Sequence, residues 1–409
     1  MQKINSQVMK SSNALMILKT VRQNAPISRT KLVECVGLTA ASVINITNAM
    51  LSAGVLVQSG LNDTQGQGRR AVVLDINPEA AYVMGVHLST DRIVAAMADM
   101  RGTLSAVVDS GLPEERSGDA VLACICACID KSMAAAGVAR EKLLGIGLSL
   151  PGPLDAEKGV LVNPPNFPGM AGIPIREILE ARYGLPVCCD RESNNAALAE
   201  YLLGAAAGYK TSFFISLFRS SVGGGMISGG NVLHGFCDSA GEIGHTMVDS
   251  DGFPCSCGNS GCLEAMISER AILKQVRRLC QLRYGSGVRY DPNMLTLEDV
   301  FRLSAAGDPV CGHVVRKTAC YISTALGNAI CLYSPEVIVL GGPLPLLSSQ
   351  LVELIRAQIA ARPYPRHCSS IRVVCSSFGE SAFVAGAAEH AWNRFVGKLL
   401  DGAPSANGT

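Results

Sequence analysis

The apolar residues Val8, Leu15, Met16, Ile17, Leu18 and Val21 recur at helical spacing and predict a helix over residues 8–22. Pro26 closes the connection, Ser28 is placed to cap a second helix carrying Leu32, Val33 and Val36, and Gly37 ends it. Thr39 then caps a third helix, from Ala40 to near Ala53, with Val43, Ile46 and Met50 inward and Gly54 at its end. Helix, short glycine-containing turn and capped helix make the helix-turn-helix pattern. Residues 55–57 and 71–74 read as two strands around a polar loop, residues 60–70, that ends in Gln67-Gly68-Arg69-Arg70. The five elements together predict a winged helix-turn-helix over residues 1–78, with double-stranded DNA as its partner. Thr39, Ser42 and Asn45 would face the major groove, and Arg69 and Arg70 at the wing tip a narrow minor groove. The third helix holds no Arg or Lys, so base reading is expected to rest on Asn, Ser, Thr and apolar contacts.

From residue 82 the pattern changes to short β-rich runs alternating with helical ones. Residues 82–88 and 93–97 read as paired strands, and residues 143–150 as a buried strand ending at Pro151-Gly152-Pro153. Residues 213–217 and 337–342 complete the set, which implies mixed sheets flanked by helices. The runs Gly223-Gly224-Gly225 and Gly341-Gly342 suit either close backbone approach to a ligand or tight turns.

Composition narrows the class. The 409 residues are 48% hydrophobic and 17% charged, which excludes an intrinsically disordered chain and calls for more than one domain. No apolar run is long enough for a membrane span, and Met1-Gln2-Lys3-Ile4-Asn5 opens no secretory signal, so a cytoplasmic protein without stable membrane insertion is expected. Net charge is only +1, yet residues 1–78 hold eight Lys/Arg against three Asp/Glu. A basic head on a mildly acidic body fits a polyanionic partner.

Sixteen cysteines in such a chain fit reduced thiols or metal ligands better than disulfides. His245, Cys255, Cys257 and Cys262 form a Cys3His set, one of the closed tetrahedral zinc combinations, and Gly252, Gly258 and Gly261 let the loop fold around an ion. Four protein ligands leave no open position, which makes the expected zinc structural rather than catalytic. Cys124, Cys126 and Cys128 lie on a predicted helix with no His nearby and fit core packing. Glu242 and Glu264 flank the metal set, where they suit a polyhydroxylated ligand, hydrogen bonds to the zinc ligands or the part of plain surface charges.

With these motifs the chain resembles the ROK family (repressors, open reading frames and kinases) along nearly its whole length, and within it the repressor branch of Mlc- and NagC-type sugar-responsive regulators. The matching stretches are residues 1–78, 241–264, 162–166, 196–200 and 337–342. The resemblance implies an actin-like ATPase fold with a zinc loop: a first α/β lobe over residues 79–190 and a second over 191–400, the C-terminal helix packing back on the first. It implies that Asn166, Glu242, His245 and Glu264 hold sugar hydroxyls. Glu192 takes the place of the aspartate that is the general base of the kinases.

Departures from the kinase pattern decide the expected activity. The first phosphate loop, Asp-x-Gly-Gly-Thr in the kinases, reads His87-Leu88-Ser89-Thr90-Asp91, which lacks the Mg²⁺-organising acid and both glycines. The second, ordinarily Gly-Thr-Gly before a hydrophobic residue and three glycines, reads Arg219-Ser220-Ser221-Val222-Gly223-Gly224-Gly225, and the Asn-Asp pair is Arg191-Glu192. The expected function is therefore a DNA-binding regulator of carbohydrate genes, a repressor, controlled by a sugar or sugar phosphate and acting as a homodimer or dimer of dimers. The alternatives are a sugar kinase with an appended DNA-binding head and a repressor controlled by a protein partner.

Overall fold

Capping residues decide where the first helices begin and end. The chain opens with α1 (Ser6–Asn24), a short strand β1 (Ile27–Ser28), α2 (Arg29–Val36) and α3 (Ala40–Ser52). The Ser28 hydroxyl accepts from the Lys31 N–H, and Gly37 ends α2 in the left-handed region at φ 67°. Thr39 opens α3 by accepting from the Ser42 N–H, and the chain turns through 117° between the two helices. Two longer strands follow, β2 (Leu56–Asn62) and β3 (Ala71–Ile76), and the sheet order is β1-β3-β2 with every pair antiparallel. β2 continues to Asn62, through part of what reads as loop in the sequence, by an irregularity in register between Gln58 and Leu61. Ile17, Leu18, Val21, Leu32, Val43 and Met50 meet in one buried cluster. The computed structural model describes residues 6–62, 71–164, 167–283, 290–364 and 366–401, so Arg69, Arg70 and Asn166 lie outside the described residues.

Next come β4 (Tyr82–Leu88), β5 (Arg92–Asp99), β6 (Leu104–Gly111), α4 (Gly118–Ala136), β7 (Leu143–Leu150), the small hairpin β8 (Leu154–Asp155) and β9 (Val160–Leu161), α5 (Ile175–Tyr183) and β10 (Val187–Arg191). They build a sheet in the order β10-β7-β4-β5-β6, parallel from β10 to β4 and antiparallel beyond. All eight residues of β7 are buried, as a parallel strand covered on both faces requires.

A second sheet is built from α6 (Glu192–Leu203), β11 (Thr211–Leu217), β12 (Val222–Ser228), β13 (Asn231–Val232), α7 (Leu263–Ile267), α8 (Glu269–Arg283), α9 (Leu297–Ala305), α10 (Pro309–Tyr333), β14 (Val337–Gly341), α11 (Pro343–Leu347), α12 (Ser349–Ala360) and β15 (Arg372–Cys375). Its order is β13-β12-β11-β14-β15. The chain ends in α13 (Ala382–Phe395) and α14 (Lys398–Asp401). The five strands read from the sequence of the body are present, and β6, β10, β12, β13 and β15 join them in the two sheets. Asp308 caps α10 through the N–H groups of Val310 and Cys311, with Pro309 in the first turn, and α10 then runs 25 residues against the core of this second sheet.

The chain divides into two compact units, residues up to Arg191 together with those from Ala387, and Glu192–Gly386. Among the described residues no single helix is long and apolar enough to cross a membrane.

Candidate functional site

Three glycines of β12 set how closely its neighbours in the second unit approach it. A Cβ on Gly223 would lie 2.2 Å from Ser193 Oγ, and one on Gly225 would lie 2.2 Å from the Ser193 carbonyl oxygen. On the intervening residue, Gly224, it would lie 2.7 Å from the Gly241 carbonyl oxygen. Alternate residues of a strand face opposite ways, so β12 is gripped by the first turn of α6 on one face and by the turn at Gly241 on the other. Packing of protein on protein thus explains the three glycines. Gly244 continues the pattern, because its Cβ would lie 2.2 Å from the Val222 carbonyl oxygen.

This clamp places the carboxylates. Glu242 and His245 ride on the turn against β12, and Glu264 opens α7 with its Oε2 accepting from the Val222 N–H at 3.1 Å. Burial pushes the Glu264 carboxyl upward; the Val222 hydrogen bond and His245 pull it down, and Glu242 adds an upward push. Glu242, His245 and Glu264 therefore share one electrostatic neighbourhood. Glu192 opens α6 on the opposite face of β12 and is half-buried. Asn166 belongs outside the described residues.

The ligand atoms of His245, Cys255, Cys257 and Cys262 all lie within 4.8 Å of one another. Cys255 Sγ is 3.5 Å from His245 Nδ1, and Cys257 Sγ is 3.7 Å from Cys262 Sγ. A tetrahedral ion at a metal–sulfur distance of about 2.3 Å has a sulfur–sulfur edge of about 3.8 Å, so the donor set and its spacing fit a metal. The loop is shaped by its own backbone: the Cys255 N–H donates to the Asn259 carbonyl at 2.8 Å, and Gly261 sits at φ 70° where a Cβ would meet the Asp249 carbonyl at 1.6 Å. A backbone hydrogen bond from Asn259 leads in holding the Cys257 thiol down to about 7, whereas burial pushes Cys262 up to about 12. With His245 Nδ1 turned to the thiols, Nε2 is the nitrogen left for the carboxylate side.

At the other end of the chain, Thr39 and Asn45 are exposed, but Ser42 is half-buried and its hydroxyl oxygen accepts from the Thr39 hydroxyl at 2.9 Å. Ser42 thus serves the helix start. The exposed stripe of α3 is Ala41, Ile44, Asn45 and Asn48, at the i, i+3, i+4, i+7 spacing of one helix face. Ile44 and Asn48 were not singled out from the sequence, although the spacing from Ala41 would have found them. Arg29, at the start of α2, reaches this stripe: its Nε donates to Thr47 Oγ1 at 3.1 Å and its Nη2 to Asn48 Oδ1 at 2.5 Å.

The two segments expected from the family resemblance to stand where the kinases have phosphate loops are tied to their own neighbours. The Ser89 hydroxyl donates to Asp91, and the Ser89 N–H to the Arg92 carbonyl at 2.9 Å. Arg219 pairs with Glu269 at 3.1 Å and with Glu298, while the Glu269 N–H returns to the Arg219 carbonyl at 2.7 Å.

Residues 83–393 match the ROK family profile, and the chain belongs to that family. The xylose repressor of Caldicellulosiruptor bescii is 28% identical over 386 residues, 93% of this chain and 96% of that protein. A glucokinase of Halalkalibacterium halodurans is 31% identical over 309 residues, 75% of this chain and 93% of that protein. A solved structure described as a ROK family transcriptional regulator, a homologue of Escherichia coli Mlc, has a TM-score of 0.81 at 28% identity and covers 96% of this chain and 98% of its own.

Proposed function

We propose that the chain is a DNA-binding transcriptional repressor of carbohydrate genes whose ROK body senses a sugar or sugar phosphate. One observation carries the reading: the xylose repressor aligns with 93% of this chain, whereas the glucokinase leaves a quarter of it unmatched. The local geometry agrees. Three helices, the second and third with capped starts, a 117° turn and an antiparallel hairpin have the order of a winged helix-turn-helix.

In the body, Glu242, His245 and Glu264 form the core of the proposed sugar-binding set, polar groups that suit hydroxyls, and the family resemblance adds Glu192, on the other face of β12, and Asn166 as further candidates. His245, Cys255, Cys257 and Cys262 would hold zinc, which supplies a structural cross-link fixing the turn that bears Glu242. The phosphate-loop positions speak against a kinase. Arg219 has Glu269 and Glu298 around it, and Asp91 stands in the first loop, so a triphosphate would meet acids there. A symmetric dimer matching two operator half-sites completes the proposal.

The test begins with operator selection from a random DNA pool by the full chain, followed by binding titrations of a form lacking residues 1–78. Loss of operator binding is expected, and retained binding overturns the reading. Titration of the complex with pentoses, hexoses, amino sugars and their phosphates should show one that shifts operator affinity. A panel without effect removes the small-molecule part of the proposal and leaves control by a protein partner.

A further inference from the structure

The third helix carries no cation of its own, yet the fold brings one to it. Arg29 belongs to α2 and lies against α3 through two hydrogen bonds, to Thr47 Oγ1 at 3.1 Å and Asn48 Oδ1 at 2.5 Å. The Thr47 side is built in: this residue is fully buried, and its hydroxyl donates to the Val43 carbonyl at 2.8 Å, which leaves the oxygen to accept from Arg29. Arginine only donates, so the Asn48 atom facing it is the amide oxygen, and the amide NH2 is turned away.

The edge used matters. Nε and Nη2 form one side of the planar guanidinium, and both bonds to α3 come from that side. The end-on edge, Nη1 together with the second hydrogen of Nη2, has no partner among the described residues. That edge is the fork with which arginine grips two neighbouring acceptor oxygens or nitrogens. It lies beside Asn48, on the stripe that also presents Asn45 and Ile44.

We infer that Arg29 is a direct DNA-contact residue, its end-on fork taking a pair of acceptors on the operator: the O6 and N7 of a guanine, or two oxygens of a backbone phosphate. Asn48 holds the fork in place and adds its amide donors. The inference rests on the DNA-binding reading above.

The experiment compares the full chain with Arg29→Gln, Arg29→Lys and Asn48→Ala in operator selection and in affinity titrations at several salt concentrations. Arg29→Gln is expected to weaken operator binding roughly tenfold to a hundredfold, the range of one good bidentate contact. With a guanine as partner, the loss is confined to operators bearing it and the selected sequences relax at that position in each half-site. With a phosphate, affinity falls alike for all sequences and the salt slope drops by about one. Arg29→Lys should recover the salt slope without the base preference. Asn48→Ala retains the charge and loosens the fork, so weaker binding at an unchanged melting temperature separates a contact from a folding defect. If Arg29→Gln matches the wild type in affinity, salt slope and base preference, the assignment to Arg29 falls while the DNA-binding reading stands. If the wild type selects no sequence at all, both fall.

Discussion

Cys257 is the exposed corner of the His/Cys cluster, and Cys262 the buried one. A metal must keep both deprotonated, one thiol at about 7 and the other at about 12 without it. Binding therefore releases protons and ties the 245–262 segment into one unit. Cys257→Ser should abolish stoichiometric zinc and lower the melting temperature, while the wild type contains one zinc per chain by elemental analysis. A metal-free wild type with the same melting temperature as the variant would remove the ligand assignment. Single residues also show where counting charges misleads. Arg22 is one of the eight bases of the head, but its guanidinium is bonded to Glu389 at 2.6 and 2.5 Å, with the two side chains 5% and 2% exposed. The charge of Arg22 serves the interior, and Arg29 is the base that reaches the outer face of α3.

At the level of elements, β12 shows what the sequence conceals. Half its length is small or glycine, the composition of a loop, because strands are depleted in glycine. The reason for those glycines is non-local: α6 and the 241–245 turn press on both faces. By contrast, α2 and α3 were legible because Ser28, Gly37 and Thr39 act within four residues of themselves. The metal cluster was legible for the same reason, three cysteines within eight residues after a histidine. Arg29 was not, since its partners lie 18 and 19 residues away on another helix. Gly225→Ala should therefore destabilise the protein by about 1–3 kcal/mol, because the Ser193 backbone cannot move aside without moving α6. The control is Gly111→Ala at the end of β6, where a Cβ meets nothing within 4 Å, and its denaturation midpoint should stay at the wild-type value. Equal midpoints for the two variants would mean that β12 is not clamped.

For the molecule as a whole, the chain passes between the two units only at 191/192 and at 386/387. The second passage lies inside α13, a continuous helix from Ala382 to Phe395. Gly386 abuts the backbone of α6 so closely that a Cβ would lie 1.9 Å from the Asn195 oxygen, one turn from Glu192. Further along the same helix, Glu389 pairs with Arg22 of α1, whose guanidinium carbon sits 4.0 Å from the centre of the Trp392 ring. Within the second unit α13 thus touches α6, which carries a proposed ligand residue, and within the first it touches α1 of the three-helix head. Arg22→Met leaves the Glu389 carboxylate buried without its partner and should cost about 3–5 kcal/mol. Trp392, the sole tryptophan, reports the loss by its fluorescence during urea unfolding. Arg22→Met combined with Glu389→Leu replaces the ion pair by apolar contact and should regain most of that stability. If α13 carries ligand binding to the head, the double variant folds and binds operator, yet its affinity no longer shifts with the effector sugar. A double variant with the wild-type sugar response would show that the message travels without the Arg22–Glu389 link.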